Sequence, residues 1–149
     1  MPTYATNKKA RFNFEILEEI EAGLVLSGQE VKSIRNGGAK LQGSHLSFIK
    51  TDAFVSSMRI SPYKFAGKLD EYDPNQQRKL LLSKKEIEYL RGKSQEKGLT
   101  IVPISLYNKG RFIKIKLGLA KGKKNYDKRE TIKKRDADRE MGRIIKNSL

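Results

Sequence analysis

Two neighbouring segments show a period of two, and this period constrains the fold more than any other feature. The recurring positions are Thr100, Val102, Ile104 and Leu106, then Phe112 or Ile113, Ile115, Leu117 and Leu119. A period of two is that of a half-buried strand. Asn108, Lys109 and Gly110 lie between the segments and have the composition of a hairpin turn. The pattern therefore predicts an antiparallel hairpin.

Shorter patterns predict the remaining elements. Phe12, Phe14 and Ile16 alternate as in a strand, which bends or bulges at Gly23 and resumes at Leu24 to Leu26. Two further strands are expected, one with Leu46 and Phe48 and the next with Phe54, Met58 and Ile60. The expected helices are Gln29 to Arg35, and one that Lys79 to Leu82 enters and that Ser83 and Glu86 cap. Gly98 ends the second helix, and residues 63–75 form a long loop.

These elements predict a mainly β fold, with about six strands and two or three helices. Parallel βαβ units require a helix between each pair of strands, and those helices are missing. A small antiparallel OB-like β-barrel fits better. Apolar content falls after Ala120, so we expect a barrel over residues 1–120 and a tail over residues 121–149.

Composition excludes several kinds of site. The chain has no Cys and one His among 149 residues, which leaves no disulfide, no thiol nucleophile and no multi-histidine metal site. The first residues lack a signal-peptide core and no apolar run is long enough to span a membrane, so we expect a cytoplasmic protein with no membrane partner.

The positive charge is concentrated toward the end of the chain. The total is +15, of which residues 1–108 carry +5 and residues 109–149 carry +10. Such an excess indicates a polyanionic partner, with nucleic acid first and an anionic membrane surface second.

Three patterns suggest chemistry but fit other roles better. His45 beside Ser44 is a candidate general base, yet a surface or packing histidine explains it much better. Residues 118–124 read GLAKGKK, which lacks the spacing and the hydroxyl of a Walker loop and leaves a flexible basic strand end. Glu15, Glu18, Glu19 and Glu21 are a solvated strand face rather than a metal site, although one of them can accept hydrogen bonds from a base or ribose edge. We therefore predict no catalytic residues, no metal and no cofactor.

Aromatic and basic residues indicate how RNA would be bound. Six aromatic residues lie among cations, as base stacking requires, although packing explains most of them singly: Tyr63, Phe65, Tyr72, Tyr107, Phe112 and Tyr126. If the tail were helical, one sector about 100° wide would collect Lys121, Lys124, Lys128, Arg135, Arg139, Arg143 and Lys146. Such a stripe follows a phosphate path. A charged tail is disordered alone, so we expect it to become helical only on RNA.

Several stretches resemble one known family. In order they read NKKAR (7–11), EAG (21–23), GQEVKSIR (28–35), RKLLL (78–82), LY (106–107), GLAKGKKNYDKR (118–129) and IKKRDADR (132–139). Together they are similar to the SmpB family of SsrA-binding proteins over nearly the whole chain.

The resemblance implies a function and partners. It implies a non-enzymatic adaptor with an OB-like barrel that binds the tRNA-like domain of transfer-messenger RNA and enters stalled ribosomes with it during trans-translation. The tail would fold as a helix in the empty mRNA channel next to the decoding centre. We expect a monomer.

Family positions carry over residue by residue. The RNA-binding positions match Asn7, Lys8, Lys9, Arg11, Glu21, Leu81 and Lys114. Leu81 is also explained as a core leucine. The ribosome-binding tail positions match Lys123, Lys124, Tyr126, Asp127, Lys128 and Arg129, and the basic stripe adds Arg135, Arg139 and Arg143. The chain departs from the family at residues 12–14, where Phe12 replaces a histidine and can stack on a base but cannot donate a hydrogen bond.

Two rival functions share the basic composition. A ribosomal protein or ribosome assembly factor would also be basic and tailed, but would be present on every ribosome. An RNA-modifying or RNA-cleaving enzyme on an OB scaffold would need an acid/base pair, which the sequence does not suggest.

Overall fold

The computed structural model describes residues 2–65 and 71–123, which form nine strands and three helices. The strands are β1 (Thr3–Thr6), β2 (Phe14–Leu24), β3 (Ala39–Lys40), β4 (His45–Ile49), β5 (Asp52–Ser56), β6 (Arg59–Ile60), β7 (Arg78–Leu81), β8 (Leu99–Lys109) and β9 (Phe112–Gly122). The helices are α1 (Lys8–Asn13), α2 (Gly28–Arg35) and α3 (Lys84–Ser94).

The predicted hairpin is the centre of the fold. Strands β8 and β9 pair antiparallel from Lys109 opposite Phe112 to Leu99 opposite Lys121. The turn is Gly110 and Arg111, and Gly110 has φ +61°. Asn108 and Lys109, which the sequence predicted in the turn, are the last residues of β8. A two-residue hairpin turn requires positive φ, which glycine adopts without a steric penalty.

Seven strands form one antiparallel sheet in the order β1-β8-β9-β2-β7-β5-β4, and β3 pairs separately with β6. Strands β4 and β8 are not neighbours in this order but are in contact, so the sheet is curled. Within the described residues no ladder joins β1 to β4, so the barrel is open at that seam. The prediction of a mainly β, OB-like fold is confirmed.

One face of each long strand fills the core. Its most deeply buried side chains come from alternate positions of β7, β8 and β9 and from the two longer helices, namely Leu80, Leu106, Ile115, Leu117, Ile34 and Leu90. On the opposite face of the sheet, Val102 and Ala120 pack against Ala10 of α1. Polar side chains such as Glu21, Lys114 and Lys116 occupy another part of that face.

Both longer helices begin at a capping box. The hydroxyls of Ser27 and Ser83 accept from the backbone N–H of Glu30 and Glu86, whose carboxylates accept from the serine N–H groups. Each box satisfies two amide groups that a helix start leaves without partners. The sequence-based prediction of both helices is thus confirmed, with α3 ending at Ser94, before Gly98.

Three local predictions were wrong. Phe12 lies in α1 rather than a strand, because buried Ala10 docks that segment beside Val102 and Ala120. The irregularity of β2 falls between Ile16 and Glu18, whereas Gly23 pairs regularly on both sides.

The third error concerns the residues that precede α3. Residues Arg78–Leu81 form strand β7 and do not lead into the helix, because they pair with β2 and β5. Strand β1, which the sequence analysis did not predict, pairs with β8 at the sheet edge.

A buried ion pair connects α2 to β7. Arg78 is 2% exposed, and its Nε and Nη2 donate to one carboxylate oxygen of Glu30 at 2.8 and 2.5 Å. Its Nη1 donates to the carbonyls of Met58, Pro74 and Gln76 at 2.6–2.9 Å. The guanidinium therefore satisfies three carbonyls of the segments that precede β7. Neither Arg78 nor Glu30 was a candidate site residue in the sequence analysis.

Candidate nucleic-acid interface

The predicted RNA-binding residues occupy two groups on the outer face of the sheet and next to it. Asn7, Lys8, Lys9 and Arg11 lie at α1, and Glu21, Leu81 and Lys114 lie on three strands. Of the predicted tail residues, Lys123 is described. The others lie outside the described residues, namely Lys124, Tyr126, Asp127, Lys128, Arg129, Arg135, Arg139 and Arg143.

Strand register brings the second group together. Gly23 on β2 is the ladder partner of Lys114 on β9 and of Leu81 on β7. Glu21 lies two residues before Gly23 and therefore points to the same face. Residues that are far apart in sequence thus form one continuous surface across β9, β2 and β7.

Leu81 is 56% exposed, whereas its neighbour Leu80 is 1% exposed. The core explanation of Leu81 is therefore wrong, and Leu80 is the core residue. The run of three leucines at 80–82 hides the strand phase, which only the pairing of β7 with β2 reveals.

Glu21 is held by two donors on β8. The hydroxyl of Tyr107 donates to its Oε2, and Lys109 Nζ lies 3.1 Å from its Oε1. The Tyr107 hydroxyl and the lysine hold the pKa of Glu21 below its usual value. Burial, followed by the bond to Glu21, raises the pKa of Tyr107. The ionised carboxylate has lone pairs beyond these two bonds and can accept from a ribose or base edge.

Asn7 anchors α1 to β8. Its backbone N–H donates to Ile104 at 2.7 Å and its Nδ2 donates to Pro103 at 3.0 Å. This structural contact was not foreseen, and it places the exposed side chains of Lys8 and Lys9 beside the sheet. Lys123 Nζ donates to the carbonyl of Arg11 at 2.9 Å, so the end of β9 meets the same helix.

Exposed ion pairs join the two groups. Glu19 lies 2.8 Å from Arg11 and 3.5 Å from Lys116, and these cations hold its pKa below the usual value. A shallow depression follows the same face, lined by Thr3, Glu19, Ile20, Glu21, Ser105, Tyr107 and Lys116. The glutamates of β2 thus organise cations, and no metal-ligating cluster occurs in the portion of the chain described.

The structure separates the candidate stacking residues. Tyr72 and Tyr107 direct their hydroxyls to Glu30 and Glu21, which gives them structural roles. Phe65 and Phe112 are 71% and 68% exposed. Tyr63 packs edge-on against Phe65, with ring centroids 5.5 Å apart, and Tyr126 is outside the described residues.

The enzyme-like patterns do not assemble. Ser44 is buried, and its hydroxyl donates to the Leu41 carbonyl at 2.5 Å. Its proton is therefore directed to the backbone and not to His45, as a nucleophile and base pair would require. Residues 118–122 are part of β9 and pair with β2 and β8, so they form a regular strand rather than a flexible end. Among the residues described, no helix has the length and apolar character required to cross a membrane.

Comparisons with known proteins agree on one family. The family model "SmpB protein" matches residues 4–147. The chain is 51% identical over 145 residues to the SsrA-binding protein of Persephonella marina, covering 97% of this chain and 95% of that protein. The chain is 48% identical to the SsrA-binding protein of Chloroflexus aggregans, and the match covers 97% of this chain and 92% of that protein.

A solved structure shows the same fold. It is described as "tmRNA-SmpB: a journey to the center of the bacterial ribosome", and it matches with a TM-score of 0.67 and 44% identity. The match covers 80% of this chain and 84% of that one.

Proposed function

This chain belongs to the SmpB family, and we propose that it is an adaptor that binds transfer-messenger RNA and delivers it to stalled ribosomes for trans-translation. The observation that carries this function is the convergence of Glu21, Leu81 and Lys114 on one outer face of the sheet. The tRNA-like domain of the RNA is the proposed ligand of that face.

The chemistry of the face suits a folded RNA. Lys114 and Lys116 project from β9 at alternate positions and can each meet a phosphate, while Glu21 can read a hydroxyl or amino edge. At α1, the exposed side chains of Lys8, Lys9 and Arg11 extend the cationic surface. Phosphate contacts set the orientation of the protein, and polar edge contacts add discrimination between RNAs.

The tail supplies a second contact in this proposal. Its residues from Lys124 to Arg143 would lie in the mRNA channel next to the decoding centre, where ribosomal RNA surrounds them with phosphates. The barrel would hold the carrier RNA and the tail would probe whether a message is present. Such a protein works in the cytoplasm and acts by binding, with no covalent chemistry of its own.

Binding of the full-length chain to a tRNA-like RNA tests the proposal. We expect much tighter binding to this RNA than to a duplex of equal length, with an affinity that falls steeply as salt rises. Replacing Lys114 with Gln should weaken binding by about fivefold and reduce the slope of log affinity against log salt by about one.

Lys85→Gln is the matched control, because it removes the same charge from an exposed position on α3, outside the three strands that carry the proposed face. Its affinity and salt slope should equal those of the wild type. Equal affinity of the wild type for the tRNA-like RNA and for the duplex would refute the proposed function.

A further inference from the structure

An exposed aromatic ring extends the proposed RNA face beyond the residues that the family resemblance supplied. Phe112 is 68% exposed and begins β9, two residues before Lys114, so both side chains project from the same side of the strand. Lys114 Nζ lies 5.8 Å from the centre of the Phe112 ring. Ring and ammonium therefore form one adjoining aromatic and cationic pair.

Gly23 joins this pair to Leu81. A Cβ at position 23 would lie 3.2 Å from Leu81 Cβ and 3.5 Å from Lys114 Nζ. The missing side chain therefore leaves room for the lysine ammonium and the leucine to approach each other over β2. Phe112, Lys114 and Leu81 form a strip across β9, β2 and β7, which we call the stacking strip.

Cationic side chains surround the exposed end of this strip, and one of them, Lys109, is also paired with Glu21. Lys109 is the ladder partner of Phe112, and Arg111 precedes it in the turn. The side chain of Arg35 on α2 donates to the Arg111 carbonyl at 3.3 Å, which brings a third cation to the hairpin tip. An apolar ring among cations fits a ligand that presents a flat apolar face and a negative charge together, as a nucleotide does.

We propose that Phe112 stacks on an unpaired base of the bound RNA while Lys114 contacts the adjoining phosphate and Leu81 packs on the base or its ribose. This assignment rests on the proposed function, because it names the kind of nucleotide that the same face binds. A base within an A-form helix has both faces covered by its neighbours, so the partner is a nucleotide in a loop or bulge.

Phe65 provides a matched control for Phe112. It is similarly exposed, at 71%, and Lys64 Nζ lies 4.8 Å from its ring centre, but it lies in the loop after β6 rather than on the strip. Phe112→Ala and Phe65→Ala thus remove the same group from equally solvated positions next to a lysine.

The experiment measures affinity of the full chain for the tRNA-like RNA and for the same RNA with single abasic sites in its loops. We expect Phe112→Ala to weaken binding by about tenfold, Phe112→Trp to retain it, and Phe65→Ala to leave it unchanged. One abasic site should weaken wild-type binding and have no further effect on Phe112→Ala. Phe112→Leu, which keeps an apolar side chain at the strand start, should bind as weakly as Phe112→Ala.

Three results would overturn the proposal. They are unchanged binding by Phe112→Ala, equal losses in the Phe112→Ala and Phe65→Ala variants, and full binding by Phe112→Leu. Each is read against wild-type binding in the same assay. If the wild type itself does not prefer the tRNA-like RNA, the proposed function fails, and this result is distinct from a failure of stacking alone.

Discussion

At the scale of single residues, Glu30 and Arg78 form the contact with the clearest energetic consequence. The pair is buried, and the arginine also satisfies three loop carbonyls. Removing one member of such a pair leaves an uncompensated charge in the interior, which costs about 3–5 kcal/mol. We expect Glu30→Gln to lower the free energy of unfolding by about 3 kcal/mol, measured by urea denaturation.

The control for this variant is an exposed ion pair. Arg11→Gln breaks the contact with Glu19, which is partly solvated on both sides, and should cost less than about 1 kcal/mol. Similar losses of unfolding free energy in the two variants would show that breaking the buried pair costs no more than breaking the exposed one.

Glu30 also gives stability a dependence on pH. Burial raises the pKa of this carboxyl, but the Ser27 N–H and the Arg78 guanidinium outweigh burial and hold the pKa below its ordinary value of 4.5. The ionised form is therefore favoured by folding, and this stabilisation is complete above the ordinary pKa and disappears as pH falls through the lowered one.

We expect wild-type stability to decline more steeply than that of Glu30→Gln as pH falls below about 4.5, in urea titrations at a series of pH values. Parallel pH profiles for the two proteins would contradict this assignment. An advantage of the wild type over Glu30→Gln that grows as pH falls would have the wrong sign.

At the scale of elements, α3 depends on its capping box. The Ser83 hydroxyl and the Glu86 carboxylate each accept a backbone N–H at 2.9–3.2 Å. We expect Ser83→Ala to cost about 1 kcal/mol and to speed amide hydrogen exchange in the first turn of α3. Ser94→Ala makes the same change at the other end of the helix, where the hydroxyl donates to the Arg91 carbonyl, and should leave exchange at the first turn unaltered. Equal exchange in both variants would argue against the cap.

Elements with a local signature were predicted well. The capping box of α3 and the hairpin of β8 and β9 are each encoded within a short stretch of sequence, so the sequence alone identifies them. The strict alternation of β8 is interrupted by a bulge between Pro103 and Ser105, which places Ile101 in the main core and Val102 on the opposite face. The predictions for the residues of strand β7 and helix α1 were wrong, because both elements are short and depend on their packing partners. β7 is a strand through its pairing with β2 and β5, and α1 is a helix that docks through Ala10.

At the scale of the whole molecule, the uneven charge predicts two separable activities. Strand β9 continues to Gly122, and Lys123 still contacts α1, so a cut after Lys123 preserves all described structure. We expect deletion of residues 124–149 to leave affinity for the tRNA-like RNA within about twofold and to abolish peptide tagging on stalled ribosomes.

A binding assay and a reconstituted tagging assay on the same preparation measure the two activities. The full chain is the reference for both. Parallel loss of binding and tagging would contradict the division into a barrel that holds RNA and a tail that acts on the ribosome.

The sequence by itself determined the mainly β class, the central hairpin, the two longer helices and the concentration of charge toward the end, because each depends on composition or on neighbours along the chain. Only the tertiary structure decided that Leu80 is buried and Leu81 exposed, that Gly23 lies between Leu81 and Lys114, and that Arg78 reaches Glu30. These facts follow from the register between strands, and a shift of one residue would move every side chain of a strand to the opposite face. Register is set by long-range pairing, which the spacing of residues within one strand does not contain.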